Sequence, residues 1–578
     1  MRPTSRTLAI FAGLSGILIL YIWNVYWVRP ANLFGLWHDD TIYFSSAKAI
    51  AQGHGYILPS VPGNPPATKY PVLYPWLLSW VWRISPEFPG NISLAILLNL
   101  LFGAAATFLI YGYLRTTFDL KAWESLLITS FFILHPFTIL YSSAIVSEIP
   151  FAAFSIATLW SGEAALRRPE RTNLIIISAI LADLCVFMRS AGIALCAGIV
   201  AALLLRKLWR HARLFSSATV PALCYFAYQT WFRVATIPPV AFSGQLPGWK
   251  QTWLYYTSYT AFRKIDSPSF GIAVTLLVNQ CLYLIFTLPN YLFAPWSGSH
   301  IVVWFVMALF LATVIFSGMR RAVANHMGIL TGLAFAVYIG LLMAWDYPDW
   351  VRFLLPFFPF ILALLWIECR SWNSWIQRAF RGVQVRDKIL AFGFLTCALT
   401  FTGVIIWNYC GPGRVWEQGL SAERRGRLEE KLEAYDWIRL HTARDSRIIA
   451  VADVLSYLYT DRQAMNFTVL MPAGVYDKRR LSLDLAHIAD VPRAIGASYW
   501  MVTNEDALSQ LKALREPLAT RLAEMEGRLP KVFESSRGGV KIYDLTCLRR
   551  TDDPACLSIN KVMLPSGATE ATVGTSDR

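Results

Sequence analysis

Long apolar runs constrain this chain more than any other feature. A helix needs about 20 apolar residues to cross the hydrocarbon of a bilayer. Charged residues make up only 15% of the 578 residues, against about 25% in soluble domains. The sequence therefore predicts a polytopic α-helical membrane protein. The apolar runs lie at 7–28, 92–114, 123–142, 149–166, 174–187, 190–205, 214–234, 271–294, 301–318, 327–345, 352–368 and 388–409.

Short basic loops predict the orientation of these runs. Lys and Arg accumulate in loops on the cytoplasmic side, which explains the net charge of +15 and argues against nucleic acid as a partner. The N-terminus is then cytoplasmic and its first run a retained span, because no signal-peptide cleavage site follows. The loop at 29–91 and everything after the last span lie outside, as in an inner-membrane protein with a periplasmic tail. The basic loops are at 167–173, 206–213, 318–326 and 370–388.

Counting crossings between these loops gives about 11 transmembrane helices. The runs at 271–294 and 301–318 cannot both cross, because an odd number of crossings must join the outer loop before them to the basic loop after them. Pro289 and Pro295 interrupt the first of the two. One of them is therefore expected to be re-entrant or interfacial.

The character of the chain changes after Tyr409, which predicts three regions: a transmembrane catalytic domain at 1–410, an extracytoplasmic α/β domain at 411–565 and a disordered tail at 566–578. The second region should hold an amphipathic helix, a strand in "RIIAVAD", a strand in "SYWMVTN" and a hairpin around Gly538-Gly539. Cys547 and Cys556 lie close together in it and are candidates for a disulfide outside the cytoplasm. Cysteines in the apolar runs are expected to be packing residues.

The first outer loop carries two adjacent carboxylates in "GLWHDDTIYF". A loop of about 60 residues is too long for a structureless connector. Its stretch 41–51 has a helical apolar pattern suited to the membrane interface. Asp39 and Asp40 would begin that helix, where the helix dipole favours carboxylates. Capping of the helix is therefore an alternative to a catalytic role for either one.

Other ionisable residues lie in or beside apolar runs near the same outer face. Residues of this kind are costly in a membrane unless paired, so each is a candidate for function. The alternative for each is an ion pair between helices, such as Asp183 with Arg189. With Lys69 of the first loop, the cations suit a lipid phosphate, and a neighbouring carboxylate suits a general base. The residues are Glu148, Asp183, Arg189, Asp346, Asp349 and Arg352.

Four motifs in order resemble the GT-C glycosyltransferases of the protein-mannosyltransferase and lipid A aminoarabinose-transferase type. They are "DDTIYFSSAKAIAQGHGY…KYPVLYPWLL", "SSAIVSEIPF", "MRSAGIAL" and "VRFLLPFFPF". The resemblance covers about 1–410 loosely, and "YDWIRLHTARDSRIIAVADVLSYLYTDR" resembles the outer domain of bacterial members. One departure is Asp40, which stands where the family has Glu.

The resemblance implies the GT-C fold and an integral-membrane glycosyltransferase that uses a polyprenyl-phosphate sugar. The family's catalytic Asp falls on Asp39, although the Asp-Asp pair leaves the choice between Asp39 and Asp40 open. The acceptor would be a lipid, a glycan or a protein at the outer face. The donor phosphate would bind Lys69, Arg189 and Arg352. The residues expected to support the site or the acceptor are Glu148, Tyr70, Tyr74, Asp346 and Asp349.

The chemistry of such a transfer fits these residues. Cations stabilise the departing phosphate, one carboxylate accepts the acceptor's proton, and a single displacement inverts the anomeric configuration. No cofactor is required, and a divalent cation is compatible with the carboxylates. The sequence has no metal cluster with His/Cys spacing and no phosphate-binding glycine motif after a strand.

Two other classes explain part of the pattern. A transporter or flippase of lipid-linked sugars would account for the spans and the intramembrane charges, but less well for the long outer loop and the soluble tail. A non-catalytic membrane assembly factor is the third class. Turnover with a polyprenyl-phosphate donor separates the glycosyltransferase from both.

Overall fold

The computed structural model describes residues 5–28, 34–35, 37–67, 70–229, 270–293, 301–343, 350–379, 422–465, 492, 496–503, 520 and 523–549. The chain divides into two compact units. The first comprises Met1–Gly53, Lys69–Thr230 and Tyr259–Ala422, and the second comprises His54–Thr68, Trp231–Ser258 and Glu423–Arg578. The boundaries expected at 410 and 565 stay predictions.

The described part of the first unit is helical. Its helices are α1 (Ser5–Val28), α2 (Asp39–Ala51), α3 (Leu73–Ile84), α4 (Ile92–Thr117), α5 (Ala122–Ile133), α6 (Pro136–Ser142), α7 (Glu148–Arg167), α8 (Thr172–Met188), α9 (Gly192–Leu205), α10 (Trp209–Ala227), α11 (Phe270–Phe293), α12 (Ile301–Ala324), α13 (Ile329–Met343), α14 (Trp350–Leu354) and α15 (Phe358–Ala379). A 3₁₀ turn at Leu355–Phe357 joins the last two.

Apolar length confirms a polytopic membrane protein. Within the described ranges, five segments are long and apolar enough to cross a bilayer: Thr7–Tyr26, Ile92–Thr117, Glu148–Arg167, Val302–Ala324 and Val351–Trp372. Shorter apolar helices cover Thr172–Met188, Gly192–Leu205, Leu277–Pro289 and Ile329–Met343. The total of about 11 crossings stays a prediction, and the run at 388–409 lies outside the described residues.

The run at 123–142 is two helices. Helices α5 and α6 meet at an angle of 58°. Pro136 lacks the backbone N–H that a continuous helix would need at this point. His135 caps the start of α6, because its ring accepts a hydrogen bond from Phe137 N (3.3 Å). This pair is a sixth crossing if it forms a single broken span.

Three local features place residues at one end of the bundle. Helix α2 begins at Asp39 directly after His38, which has a φ of 58°. Helix α7 begins at Glu148, with Pro150 in its first turn, where a missing N–H costs nothing. Helix α8 ends at Met188, and Arg189 follows in an extended conformation.

Gly192 makes the reversal from α8 to α9 tight. A Cβ atom at this position would lie 2.5 Å from the backbone of Cys185. Only glycine therefore allows α9 to start directly against the end of α8. The residue held inside this reversal is Arg189.

The second unit contains a five-stranded mixed sheet in the order β2-β1-β3-β5-β4. Strand β1 is parallel to β2 and β3, and β5 is antiparallel to β3 and β4. The elements are α16 (Ala422–His441), β1 (Ile448–Ile449), α17 (Asp453–Thr460), β2 (Ala464–Met465), β3 (Tyr499–Thr503), β4 (Lys531–Glu534), β5 (Val540–Asp544) and α18 (Thr546–Arg549). The predicted amphipathic helix, both strands and the hairpin are confirmed.

Helix α16 packs on this sheet through an apolar core that includes Tyr435, Ile448 and Ile542. Glu430 of the same helix is buried and accepts hydrogen bonds from Ser535 Oγ and Gly539 N, both at 2.7 Å. The carboxylate thus fastens the helix to the β4–β5 turn.

Part of the first outer loop belongs to this second unit. Residues Ile57 and Pro66 form an isolated antiparallel bridge, and Ala464 N of β2 donates to Ser60 O (2.8 Å). The loop therefore continues the hydrogen bonding of the sheet beyond β2. Sequence reasoning placed the whole loop with the spans and missed this pairing.

Cysteine chemistry differs between the two units. Cys547 is in a disulfide, and its predicted partner Cys556 lies outside the described residues, so this pairing stays a prediction. Free thiols in the described ranges are Cys185, Cys196, Cys224, Cys281 and Cys369.

Close approach of α9 and α13 gives a stability prediction. A Cβ at Gly198 would lie 2.3 Å from Ala334 Cα, whereas a Cβ at Gly340 of α13 would meet nothing within 4 Å. Gly198→Ala should lower the free energy of unfolding by about 1–3 kcal/mol, since the two backbones must separate. Thermal unfolding in detergent measures the change.

The matched control is Gly340→Ala, which should leave stability unchanged or raise it by up to about 1 kcal/mol. Equal behaviour of the two variants would contradict the packing of α9 on α13.

Candidate active site

Asp40 anchors the start of α2. Its side chain is buried and accepts hydrogen bonds from Gly35 N (2.7 Å) and Thr41 N (2.8 Å). The carboxylate thus holds the turn before the helix against the first helical turn, although the N-cap residue of α2 is His38. Burial raises the pKa of Asp40 from its ordinary value to about 7, and the two backbone hydrogen bonds oppose the rise.

Asp39 points into different surroundings. Its carboxylate accepts a hydrogen bond from Arg352 Nη2 (2.8 Å) and another from the Tyr70 hydroxyl. Its side chain is 20% exposed, whereas that of Asp40 is buried. The two neighbouring carboxylates therefore have different partners and different access, as expected for adjacent residues at the start of a helix.

The carboxylate of Glu148 pairs with two arginines. Its side chain is 1% exposed. Arg189 Nη1 and Arg352 Nε both donate to its Oε1 atom. Its Oε2 atom is buried and accepts no hydrogen bond within the described part of the chain. Since Glu148 begins α7, the positive end of that helix dipole also stabilises the carboxylate.

Arg352 links the two carboxylates. Its guanidinium donates from Nε to Glu148 and from Nη2 to Asp39, so one side chain joins the starts of α2 and α7 to α14. It is only 4% exposed, and Arg189 is 15% exposed. The two guanidiniums and the two carboxylates form a cluster with no formal net charge. We call Asp39, Glu148, Arg189 and Arg352 the charged cluster.

Aromatic residues pack beside the charged cluster. The Tyr43 ring lies 4.7 Å from that of Tyr70 and 5.1 Å from that of Tyr74, between ring centroids. Tyr43 and Ser147 share a hydrogen bond (3.3 Å), and Tyr74 donates to Asn99 Oδ1 (3.1 Å). These contacts fix α2 and α3 against the start of α7. Tyr70, which contacts Asp39, is thereby also held in place.

The structure brings together five of the predicted site residues: Asp39, Tyr70, Glu148, Arg189 and Arg352. Asp40 lies beside them but serves the fold of α2, and Tyr74 packs against Tyr43. The roles assigned to all of them stay predictions. Lys69, Asp346 and Asp349 lie outside the described residues.

The alternative pairing of Asp183 with Arg189 does not form. Arg189 pairs with Glu148, and Asp183 Oδ1 accepts no hydrogen bond within the described ranges. Arg189 follows the last turn of α8 in an extended conformation, so it leaves the helix face that carries Asp183. Proximity in sequence was therefore a poor guide to this ion pair.

Sequence reasoning missed Tyr43, Asn99 and Gln229. Tyr43 lies four residues after Asp39 on the same helix, a spacing that puts both on one face and could have revealed it. Gln229 Nε2 donates to Tyr70 O (2.7 Å), and Asn99 Nδ2 donates to Ala144 O (2.6 Å). Neither contact has a signal in local sequence, since each joins residues far apart in the chain.

The described ranges contain no group of three or more His, Cys, Asp or Glu side chains arranged to hold a metal ion. Both carboxylates of the charged cluster already face arginines.

Comparison with known proteins shows the fold. The chain is similar to the archaeal oligosaccharyltransferase AglB from Archaeoglobus fulgidus, solved with an inhibitory peptide and a dolichol-phosphate. The TM-score is 0.52 at 13% identity, over 90% of this chain and 74% of that one. It is also similar to ArnT from Cupriavidus metallidurans bound to undecaprenyl phosphate. There the TM-score is 0.52 at 12% identity, over 90% of this chain and 98% of that one.

A second structure of the Archaeoglobus fulgidus oligosaccharyltransferase, with zinc and sulfate, matches with a TM-score of 0.51 at 12% identity, over 87% of this chain and 69% of that one. No family model matches the chain, and no curated protein matches it. The GT-C fold implied by the sequence motifs is confirmed.

The environment of Asp40 predicts a pH dependence of stability. Because its pKa rises from 3.8 to about 7 on folding, the folded state holds the proton over this interval and the unfolded state does not. Its contribution to the free energy of unfolding therefore falls as pH rises through this window and is level above it. Asp40→Asn should remove this component, so thermal midpoints measured from pH 5 to about 8 should fall less steeply than in the wild type.

Asp436→Asn is the control for this series. Asp436 is an exposed carboxylate of α16, and its loss should leave the wild-type slope. A slope in Asp40→Asn as steep as the wild-type slope would contradict a protonated, buried Asp40.

Proposed function

We propose that the chain is an inverting glycosyltransferase that moves a sugar from a polyprenyl-phosphate donor to an acceptor at the outer face of the membrane. The observation that carries this proposal is the charged cluster: a partly exposed carboxylate, Asp39, is paired with the buried Arg352, which shares Glu148 with Arg189. Two proteins with this fold were solved in complex with a lipid phosphate: ArnT with undecaprenyl phosphate and AglB with a dolichol-phosphate.

Asp39 is the general base in this proposal. The acceptor hydroxyl or amine attacks the anomeric carbon, its proton passes to Asp39, and the bond from the anomeric carbon to the phosphate oxygen breaks. Both electrons of that bond leave with the polyprenyl phosphate. Attack from the face opposite the phosphate inverts the anomeric configuration. Asp39 suits the task because it is ion-paired with Arg352, which favours the carboxylate form.

Arg189 and Lys69 would offset the charge of the departing phosphate. Arg189 is the more exposed guanidinium of the cluster, so it is the more accessible of the two to a ligand. Cations placed where charge develops stabilise the transition state. Lys69 lies outside the described residues, so its part in this proposal comes from the sequence alone.

The acceptor and its supporting residues belong to the same proposal. AglB was solved with an inhibitory peptide, so a peptide joins a lipid and a glycan among the acceptor classes to be tried. Tyr70, which donates to Asp39, and Glu148, whose Oε2 atom accepts no hydrogen bond in the described ranges, are placed to assist. Tyr74, Asp346 and Asp349 remain proposed for this role from the sequence.

We propose a reaction whose charge stabilisation comes from guanidinium groups rather than from an obligatory metal. The oligosaccharyltransferase solved with zinc makes a divalent cation worth testing. Transfer that stops with a chelator and returns with Mg²⁺, Mn²⁺ or Zn²⁺ would show that a cation takes part.

The location proposed for the second unit follows from the basic loops. With the N-terminus in the cytoplasm, this unit is extracytoplasmic, and the disulfide of Cys547 agrees with an oxidising compartment. Alkaline phosphatase fused after Arg578 should therefore be active, and green fluorescent protein at the same point should be dark. The opposite pattern would overturn this topology.

Asp39 gives the direct test of the chemistry. Asp39→Asn should lower the rate of transfer from a polyprenyl-phosphate sugar by about 10²–10⁴-fold, the usual cost of losing a general base. The amide oxygen still accepts a hydrogen bond from Arg352, so the variant should fold and still bind undecaprenyl phosphate. Transfer is measured with the purified protein in detergent, and binding by native mass spectrometry.

Two variants accompany this test. Asp40→Asn should keep measurable transfer, and Asp183→Asn, a carboxylate of the same unit outside the charged cluster, should transfer at the wild-type rate. A fully active Asp39→Asn enzyme would eliminate the base, and movement of lipid-linked sugar across vesicles without any transfer would point to a flippase instead.

A further inference from the structure

Arg352 differs from Arg189 in what its guanidinium can still do. Two of its nitrogen atoms already donate to two carboxylates, Nε to Glu148 and Nη2 to Asp39. Its side chain is almost fully buried, whereas Arg189 retains exposed surface. A planar guanidinium holds two oxygen partners in a fixed geometry, which an ammonium group cannot do.

We propose that Arg352 is a positioning residue, which holds Asp39 in the geometry of a general base and is itself oriented by Glu148, rather than a ligand of the donor phosphate. This proposal rests on the proposed function above, because Asp39 is the base only if transfer takes place. The sequence assigned phosphate binding to both Arg189 and Arg352. The present proposal keeps phosphate binding for Arg189 and gives Arg352 the positioning of Asp39.

Burial argues against Arg352 as a phosphate ligand. A phosphate that took its Nη2 or Nε atoms would have to displace Asp39 or Glu148. Displacing Glu148 would leave a carboxylate that is 1% exposed with one cation fewer, and displacing Asp39 would remove its ion pair with Arg352, so both are unfavourable. Arg189 faces a smaller obstacle, since within the described ranges its ion pair is with Glu148 and part of its surface is exposed. The phosphate therefore belongs to Arg189.

Glu148 acts on Asp39 through Arg352. It begins α7 and is 1% exposed, and Arg189 and Arg352 both donate to the same oxygen of its carboxylate. Arg189 also contacts Ser147 Oγ (3.4 Å), directly before that helix. The start of α7 thus fixes the direction from which Arg352 reaches Asp39. A base displaced by about 1 Å can lose about 10²-fold in rate.

Several charged or titratable groups surround Asp39. Among the described residues, Arg352 is a cation in contact with Asp39, so its loss leaves Asp39 near the negative charge of Glu148 with less compensation. A carboxylate in that situation is protonated more readily. The groups are Arg352 of α14, Glu148 of α7, Arg189 after α8, Tyr70 before α3, Tyr43 and Asp40 of α2, and His38.

The experiment compares Arg352→Gln, Arg352→Lys and Arg189→Gln in the full-length protein. Arg352→Gln should lower kcat by about 10²-fold, leave undecaprenyl phosphate binding unchanged, and move the acid limb of the pH profile of kcat/KM to higher pH. Arg352→Lys keeps the positive charge but loses the planar guanidinium that holds two carboxylates. The acid limb should therefore return toward the wild type while kcat stays low. Arg189→Gln should instead weaken undecaprenyl phosphate binding by about 10-fold or more and raise the donor KM.

Arg321→Gln is the matched control. Arg321 pairs with Glu368 between α12 and α15, away from the charged cluster, so its loss changes an ion pair of the same unit without moving the pH profile. Thermal midpoints of all variants separate misfolding from a change in chemistry. If Arg352→Gln does not fold, Arg352→Lys carries the test, since low kcat with normal phosphate binding is expected of it as well.

Two outcomes overturn the proposal. Weaker phosphate binding with an unmoved acid limb in the Arg352 variants would make Arg352 a phosphate ligand, and wild-type kcat in Arg352→Lys would remove the need for a guanidinium fork. Either result in an active wild-type enzyme leaves the glycosyltransferase intact. A wild-type enzyme that transfers no sugar from any polyprenyl-phosphate donor would instead overturn the proposed function, and the positioning role with it.

Discussion

The ion pair between Arg352 and two carboxylates is the constraint on which this end of the helical bundle depends. A buried guanidinium is strongly unfavourable unless its charge and donors are satisfied. Here Glu148 and Asp39 satisfy them from two different helices. Because each partner is at the first residue of its helix, the pairing fixes where α2 and α7 begin relative to α14. The same contacts that compensate the buried charge therefore align the groups proposed to react.

Charge balance also limits which cations of the charged cluster can bind a ligand. The charged cluster is formally neutral, so in the proposed reaction the second negative charge that the donor phosphate gains when its bond to the sugar breaks needs a cation beyond those paired with Asp39 and Glu148. In the division of roles proposed above, Arg189 binds the phosphate, and Glu148 keeps Arg352 as its partner. A shared carboxylate thus lets one arginine serve the ligand while the other keeps the base in place.

The sequence predicted the helices well because apolar length is a local property. Runs such as 92–114 and 149–166 appear as α4 and α7 with small changes at their ends. It also predicted that Asp39, Glu148, Arg189 and Arg352 share one end of the bundle, since topology alone brings them there. It could not predict which of them pair. That depends on the rotation of each helix and on the extended backbone at Arg189, which turned this residue from Asp183 to Glu148.

Non-local pairing limits sequence reasoning in the second unit in the same way. Strands β3 and β5 were recognisable from their composition, but β2 is only two residues long, and its neighbour at Ser60 lies some four hundred positions earlier in the chain.

The adjacent aspartates show the opposite case, because helix geometry is local. At the start of α2, consecutive side chains diverge by about 100° around the axis. Asp40 therefore turns inward to hold Gly35 and Thr41, and Asp39 is left facing Arg352 and Tyr70. Two carboxylates occur together because one builds the helix start that presents the other.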